Sequence, residues 1–298
     1  MPNLNLNTAA AAGAVALEAA EDTNIMSIVD EPAPKFGRNY VQFALGGLSL
    51  PPMSQWIRVT ERMRGRTVRK LAERLTGNTR NTYASLLPEQ RHQVSLIAGK
   101  DHLGKALSGH RHAYFLIWPD EHRYPTRLIV WRPEAAFTEM ERLALHAAAE
   151  KPIPWGGEVA VYVVSLPMPM PLPRAFCDPS CAWRSVTPFV PPAQRHQFRP
   201  NGRPRPGEAP ERAALRLLLR AGMPEASAVL ESGVPAAVVP LHETRLRRIE
   251  RGRTGGSLAR RGFQLRLEFR RPVEGPIILG DSCHFGLGLF RACDERQP

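Results

Sequence analysis

The stretch RHAYFLIWPDEHRYPTRLIVW, residues 111–131, decides how the fold is read. RHAYFLIW (Arg111–Trp118) and TRLIVW (Thr126–Trp131) are rich in aromatic and β-branched side chains, and the intervening PDEHRYP is polar and bounded by prolines, so the stretch predicts two strands and a turn. Upstream, YVQFALGG from Tyr40 predicts a short strand closed by Gly46, Gly47 and the Pro51-Pro52 pair. The period then changes. Trp56, Val59, Met63, Val68, Leu71 and Leu75 fall at helical spacing, with Ser54 as a candidate cap and Gly77 as a stop. Downstream, Thr138 and Glu141 form a capping box ahead of Met140, Leu143, Ala144 and Ala147, which predicts a second helix. After Lys151 and a Pro/Gly break, VAVYVVSL from Val159 is a further strand. Strand, helix, strand, strand, helix, strand is the ferredoxin-like βαββαβ order. Many unrelated proteins share it, so it names no function.

PMPMPLP, Pro167 to Pro173, alternates proline and predicts an extended connector, because neither a helix nor a central strand accepts that spacing. Beyond it, SVTPFVPP, a helix around ALRLLLRAG, and the strands AAVVPLH and GFQLRLEF predict a less regular α+β domain, with RHQFRPNGRPRPG (Arg195–Gly207) as a basic loop. The expected fold class is α+β, two tandem ferredoxin-like (RRM-like) domains, the second degenerate. The expected boundaries are an acidic Ala-rich tail over 1–35, the first domain over 36–166, a Pro-rich connector over 167–181 and the second domain over 182–298.

A chain of 298 residues with 43% hydrophobic content can bury such cores. Forty Lys and Arg against 28 Asp and Glu leave a formal charge of +12, which favours a polyanionic partner over an acidic small substrate. Cys177, Cys181, Cys283 and Cys293 are too few and too scattered to staple the chain, so a reducing cytoplasm is expected and no disulfide. The first 34 residues hold five acidic residues and no Lys or Arg, unlike a signal or transit peptide. The longest apolar stretch, VAVYVVSLPMPMPL, is broken by prolines and too short to span a bilayer, so no membrane association is expected.

No Walker phosphate loop, HExxH, GxSxG or dinucleotide fingerprint after a strand is present. Cys177, Cys181 and His196 would make at most three zinc ligands around an isolated C-x3-C, and no cofactor or metal is expected. The basic signal is sharper. Between Arg245 and Arg271 there are ten arginines against Glu250 and Glu268. RRIERGRTGGSLARRG places Arg247, Arg248, Arg251, Arg253, Arg260 and Arg261 around a glycine-rich hairpin tip suited to a nucleic-acid groove, since the guanidinium fork grips phosphate and guanine. In GPIILGDSCHFGLGLF (Gly275–Phe290), Gly280, Gly286 and Gly288 either mark a bulge or admit another backbone, an RNA phosphate backbone among the visitors. On an extended strand His110, His112 and Tyr114 would share one face and Arg111 and Ala113 the other. Metal ligation by His110 and His112 would need a third ligand that no nearby motif offers. A buried structural role, proton transfer and RNA contact all stay open for these rings.

Taken in order, GHRHAYF with TRLIVWRP, then WRSVTPFVPP, then RRPVEGPIILGDSCHFGLGLF resemble the CRISPR type I-G (formerly I-U) effector subunit, in which a Cas5-like domain is fused to a Cas6-like CRISPR RNA-processing ribonuclease. YVQFALGGLSLPPMSQWIRVTERMR is similar to the segment joining the two halves. The match runs from about Phe36 to Phe290, and the acidic tail stands where the family has its Cas5-like half. The family belongs to the repeat-associated RNA-binding superfamily, built from ferredoxin-like domains with a glycine-rich C-terminal loop. The resemblance implies metal-independent cleavage of precursor CRISPR RNA within its repeat by 2′-hydroxyl attack. The products would be a 2′,3′-cyclic phosphate and a 5′-hydroxyl. The implied partners are the repeat hairpin, the mature guide RNA and other subunits of a type I effector complex. On this reading His112 is the first candidate for base or acid, His110 its partner, His284 a further candidate, Arg111 an RNA contact, and Gly286 and Gly288 part of the RNA-binding loop. The competing class is a non-catalytic RNA-binding subunit of an effector complex, and a third is a general nucleic-acid adaptor.

Overall fold

A β-rich chain has to find partners for its strand edges, and here two antiparallel sheets do so. The computed structural model describes residues 39–166, 170–192, 209–231, 237–239 and 260–293. The acidic segment 1–35, the loop 195–207 and four of the six hairpin arginines, Arg247, Arg248, Arg251 and Arg253, lie outside the described residues.

The first module runs β1 (Tyr40–Gly46), α1 (Trp56–Thr76), α2 (Pro88–Ala98), β2 (Tyr114–Pro119), β3 (Pro125–Trp131), α3 (Glu139–Ala149), β4 (Ile153–Gly156) and β5 (Val159–Ser165). Its sheet order is β2-β3-β1-β5-β4, with every pair antiparallel. Without the β4 hairpin strand this is the ferredoxin-like order, with β1 central between β3 and β5. Gly77 ends α1 in the left-handed conformation (φ 68°), as its position predicts. Ser54 is no cap; it lies in the 3-10 turn Met53–Gln55 ahead of the helix. The Thr138–Glu141 capping box forms, with Thr138 Oγ1 accepting from the Glu141 amide at 3.2 Å and Glu141 Oε2 from the Thr138 amide at 2.8 Å. Glu141 also takes the buried Arg132 guanidinium at 2.8 and 3.1 Å, so one carboxylate closes the helix and neutralises an interior charge.

Alternation sorts β1 between two cores. Val41, Phe43 and Leu45 face Trp56, Val59 and Met63 of α1 and Ala144, Leu145 and Ala148 of α3. Tyr40 belongs to a second cluster with Tyr114, Leu116 and Ile129 against Leu172, Phe176, Val186 and Leu289. Tyr40 Oη and Gln42 Nε2 both donate to the Met170 carbonyl, at 2.8 and 2.7 Å, pinning the connector to the sheet. The sheet face that an isolated RRM-like domain leaves open is therefore covered along β1, β2 and β3.

After a single helical turn, α4 (Arg174–Cys177), come β6 (Ser180–Ser185), α5 (Pro210–Arg220), β7 (Ala226–Leu230), β8 (Ala237–Val239), β9 (Arg260–Gly262), β10 (Leu265–Val273) and β11 (Phe290–Ala292). The sheet order β11-β6-β10-β7 repeats the first module's plan. α5 packs Ala213, Ala214 and Leu218 on Trp183, Leu265 and Leu267. The degeneracy has a specific form: where a second helix should connect β10 to β11, the chain runs through the glycine-rich segment 274–289 with a 3-10 turn at Cys283–Phe285. Both modules lie in one unit, Phe36–Pro298. No helix among the described residues is long and apolar enough to cross a membrane.

Candidate functional site

The glycine-rich segment is anchored from both modules, and that anchoring positions its 3-10 turn. Thr60 Oγ1 of α1 donates to the Phe285 carbonyl at 2.9 Å, and Thr187 Oγ1 to the Gly286 carbonyl at 2.7 Å. Gly286 and Gly288 are buried with φ of 86° and 61°, which L side chains rarely adopt. A Cβ at Gly286 would lie 3.3 Å from the Phe115 carbonyl oxygen, and one at Gly288 would overlap the Leu279 carbonyl. Of the readings the sequence left open, a bulge or the approach of another backbone, the structure has an approach, and the backbone that comes close at these two glycines is the chain's own. Arg260 is likewise interior: 5% exposed, it pairs with Asp281 at 3.2 Å and donates to Ser282 Oγ at 3.0 Å, bracing the turn from below. Arg261 is exposed on β9. Arg111 is exposed too, 3.7 Å from Glu134.

The turn delivers His284 to the two histidines ahead of β2. His110 and His112 do not sit on the strand, which starts at Tyr114; Gly109 and His110 are both left-handed (φ 79° and 55°), a conformation costly for a side chain with Cβ. The rings nevertheless converge. His284 lies between His112 and Tyr114, with ring centroids at 3.5 and 3.9 Å. His110 meets it edge to edge, Nδ1 to Nε2 at 3.0 Å. His284 Nδ1 is 3.4 Å from the Ala113 carbonyl. A carbonyl only accepts, so His284 carries its proton on Nδ1 and its Nε2 accepts from His110 Nδ1–H. The remaining His110 nitrogen, Nε2, belongs to an exposed ring. Tyr114 Oη donates to the His110 carbonyl at 3.3 Å, steadying the left-handed residue.

Burial pushes His112 down to about 4, with Arg64 and His110 adding repulsion, and pushes His284 down to about 2, with His112 and His110 adding to it. Both are neutral at neutral pH. The Tyr114 hydroxyl is raised by burial and stays a neutral donor. Arg64, itself lowered to about 10 by burial, donates through Nε to the Ile97 carbonyl at 3.1 Å and through Nη2 to the Ala98 carbonyl, and stands over the Phe285 ring at 5.2 Å. It closes the end of α2 beside Gly99, where a Cβ would strike the His112 ring. From there a cavity of about 530 Å³ opens, in which Arg64, Arg69 and Lys100 outnumber Glu61, with Tyr83 and Phe285 also in its wall; it reaches the histidines through Gly99, which lines it and lies against the His112 ring.

No protein-family model matches the chain, and no curated protein matches it. Among solved structures it is similar to a RAMP protein described as binding different RNA substrates, at 14% identity and a TM-score of 0.39 over 86% of this chain and 100% of that one. It is also similar to the product of a Cas6-related gene from Pyrococcus furiosus, at 11% identity and a TM-score of 0.41 over 87% and 100% of the two chains. A Cas6 crRNA endonuclease of a type IV CRISPR-Cas system shows 11% identity and a TM-score of 0.41 over 86% and 99%.

The structure thus brings together His110, His112 and His284, and adds Tyr114, Cys283 and Arg64, which the sequence did not single out for chemistry. Tyr114 was legible in the H-x-H-x-Y spacing. Arg64 was not, because α1 carries many arginines, of which Arg62 and Arg66 serve as clamps on the carbonyls of Pro154 and Lys151 at 2.5 Å each. Cys283 Sγ lies 3.8 Å from His110 Nδ1 and supplies the third donor that the neighbourhood of His110 lacked in sequence. Cys177 and Cys181 are free thiols, and His196 lies outside the described residues.

The two depressed histidines make stability depend on pH. The unfolded chain binds more protons than the folded one between the folded values and about 6.5, so stability falls as pH drops below about 6.5. With metals chelated, the pair is expected to cost roughly 2–4 kcal/mol between pH 6.5 and 5, read from urea midpoints. A His112→Gln/His284→Gln variant should show a flatter profile; equal pH dependence in both proteins would mean the rings titrate normally.

Proposed function

We propose that this chain is a metal-independent endoribonuclease that cuts precursor CRISPR RNA within its repeat and stays bound to the repeat hairpin. The observation that carries the reading is the convergence of His110 and His284, 174 residues apart in sequence, on His112, whose neighbour Gly99 lines a recess that also holds Arg64, Arg69 and Lys100. The motif resemblance names the substrate class.

Cleavage by 2′-hydroxyl attack needs a base for that hydroxyl, a proton for the leaving 5′-oxygen and positive potential at the phosphorane. His110 serves the first two needs. Its exposed Nε2 takes the 2′-proton as the new P–O2′ bond forms, and returns it to the 5′-oxygen as the P–O5′ bond breaks. The ring ends as it began, leaving a 2′,3′-cyclic phosphate and a 5′-hydroxyl. His284 orients it through the 3.0 Å hydrogen bond and favours the imidazolium formed midway by accepting from Nδ1–H. His112, first choice on sequence, is assigned the supporting place, because its burial beneath His284 keeps it neutral and its Nδ1 is buried without a hydrogen-bond partner. The basic recess receives the phosphates flanking the cut.

The protein is expected to cleave its cognate repeat RNA in excess EDTA, and a single 2′-deoxy substitution at the scissile nucleotide should prevent cutting. A requirement for Mg2+, or cutting of the deoxy substrate, would reject the mechanism. Burial of His112 and His284 favours one alternative, a non-catalytic repeat-binding subunit; tight binding without any cleavage would establish it.

A further inference from the structure

His110, Cys283 and His284 are placed as a metal site. Their ligand atoms lie within 4.8 Å of one another, the grouping of this kind among the described residues. A tetrahedral zinc ion with Zn–N of about 2.0–2.1 Å and Zn–S of about 2.3 Å holds its nitrogens roughly 3.3 Å apart and nitrogen and sulfur roughly 3.6 Å apart. Here the corresponding separations are 3.0 Å for His110 Nδ1 to His284 Nε2 and 3.8 Å for His110 Nδ1 to Cys283 Sγ. These two separations differ from the tetrahedral values by a few tenths of an ångström; the third, Cys283 Sγ to His284 Nε2, lies within 4.8 Å, so the ion draws the donors together and turns the two rings out of their mutual hydrogen bond.

A second observation is independent of those distances. A metal-bound imidazole usually gives its other N–H to a carboxylate or a backbone carbonyl, which fixes the tautomer that leaves the ligating nitrogen bare. His284 does this with the Ala113 carbonyl, and its bare nitrogen, Nε2, points at His110. The ring is held between His112 and Tyr114, and the turn carrying it is braced by Thr60 and Arg260. The donor set is two imidazoles and one thiol without a carboxylate, which suits zinc and excludes Mg2+ or Ca2+. Cys283 and His284 are buried or half-buried while His110 is exposed, so a fourth position opens toward solvent.

We propose that this trio binds one Zn2+ ion, and that zinc switches the site off. Binding displaces one proton, from the Cys283 thiol to water, and moves the His110 ring proton from Nδ1 to Nε2. That removes the lone pair which the ribonuclease reading assigns to the 2′-hydroxyl. The inhibitory half rests on that reading; the binding half does not.

The test titrates the reduced, chelator-treated full-length protein with Co2+, whose thiolate complexes absorb by charge transfer. One equivalent should produce the band, Zn2+ should abolish it and excess Mg2+ should not. Cys283→Ser should remove it, and His110→Ala, an exposed change that leaves folding intact, should weaken zinc binding on the order of 100-fold, at least what outer-shell changes cost. Cys181→Ser should change neither. In the repeat-cleavage assay zinc should inhibit the wild type, with Cys283→Ser needing about 100-fold more. No band at one equivalent, or an unchanged band in both Cys283→Ser and His110→Ala, overturns the site. A band in a protein that never cuts RNA leaves the site standing and removes the ribonuclease reading; cutting without a band does the reverse.

Discussion

Replacing His110 by alanine is expected to slow single-turnover cleavage of the repeat RNA by roughly 10²- to 10⁴-fold, the usual worth of a positioned acid or base, while leaving RNA affinity nearly unchanged. The ring is exposed and its backbone is held by Tyr114 rather than by its own side chain, so the variant should fold normally. His284→Ala should be nearly as damaging for a different reason: it removes the hydrogen bond that aims His110, and it empties the space between His112 and Tyr114. The two losses should be non-additive in a double variant, since residues that act as one unit fail together. If His110→Ala cuts at the wild-type rate while His112→Ala does not, the roles assigned to these rings are reversed. Equal rates in all three single variants would remove the chemistry from this cluster altogether.

The second large effect concerns Gly288. Alanine there must take up a φ of 61° and push its Cβ into the carbonyl of Leu279, a residue kept close by its own N–H, which donates to the Gly288 carbonyl at 2.9 Å. The strain and overlap together should cost about 3 kcal/mol or more, with the melting temperature as readout. Cleavage should fall as well, because displacing the segment moves His284. Had the glycine served mainly to admit an RNA phosphate, Gly288→Ala would keep wild-type stability and lose affinity alone. That pattern would overturn the account of the loop as an internal brace.

Both variants probe parts of the molecule that were legible in sequence to different degrees. The hairpin of β2 and β3, the strand β1, the stop of α1 at Gly77 and the capping box of α3 all follow from apolar period and turn chemistry within windows of a few residues, and the structure has them. Local signals were weaker elsewhere. α2 carries the polar run PEQRHQ and buries only Val94, Ser95, Ile97 and Ala98, so no helical stripe announces it. β4 is four residues long, β6 (SCAWRS) has little apolar content, and β7 (ASAVL) is short, with two alanines and with Val229 and Leu230 exposed.

The sequence by itself determined the α+β class, the ferredoxin-like order and the residue types of the site. Only the tertiary structure decided how they meet. His110 and His112 enter from the approach to β2, and His284 and Cys283 from a segment replacing a helix in the other module. No window of sequence contains that proximity. It is set by Thr60, Thr187 and Arg260, whose hydrogen bonds hold the turn carrying Cys283 and His284, and by glycines whose missing Cβ lets the segment lie against β2 and Leu279. The same packing turned Arg260 from a surface charge into a buried brace, because a guanidinium with a carboxylate and a hydroxyl in reach tolerates the interior when an unpaired one does not.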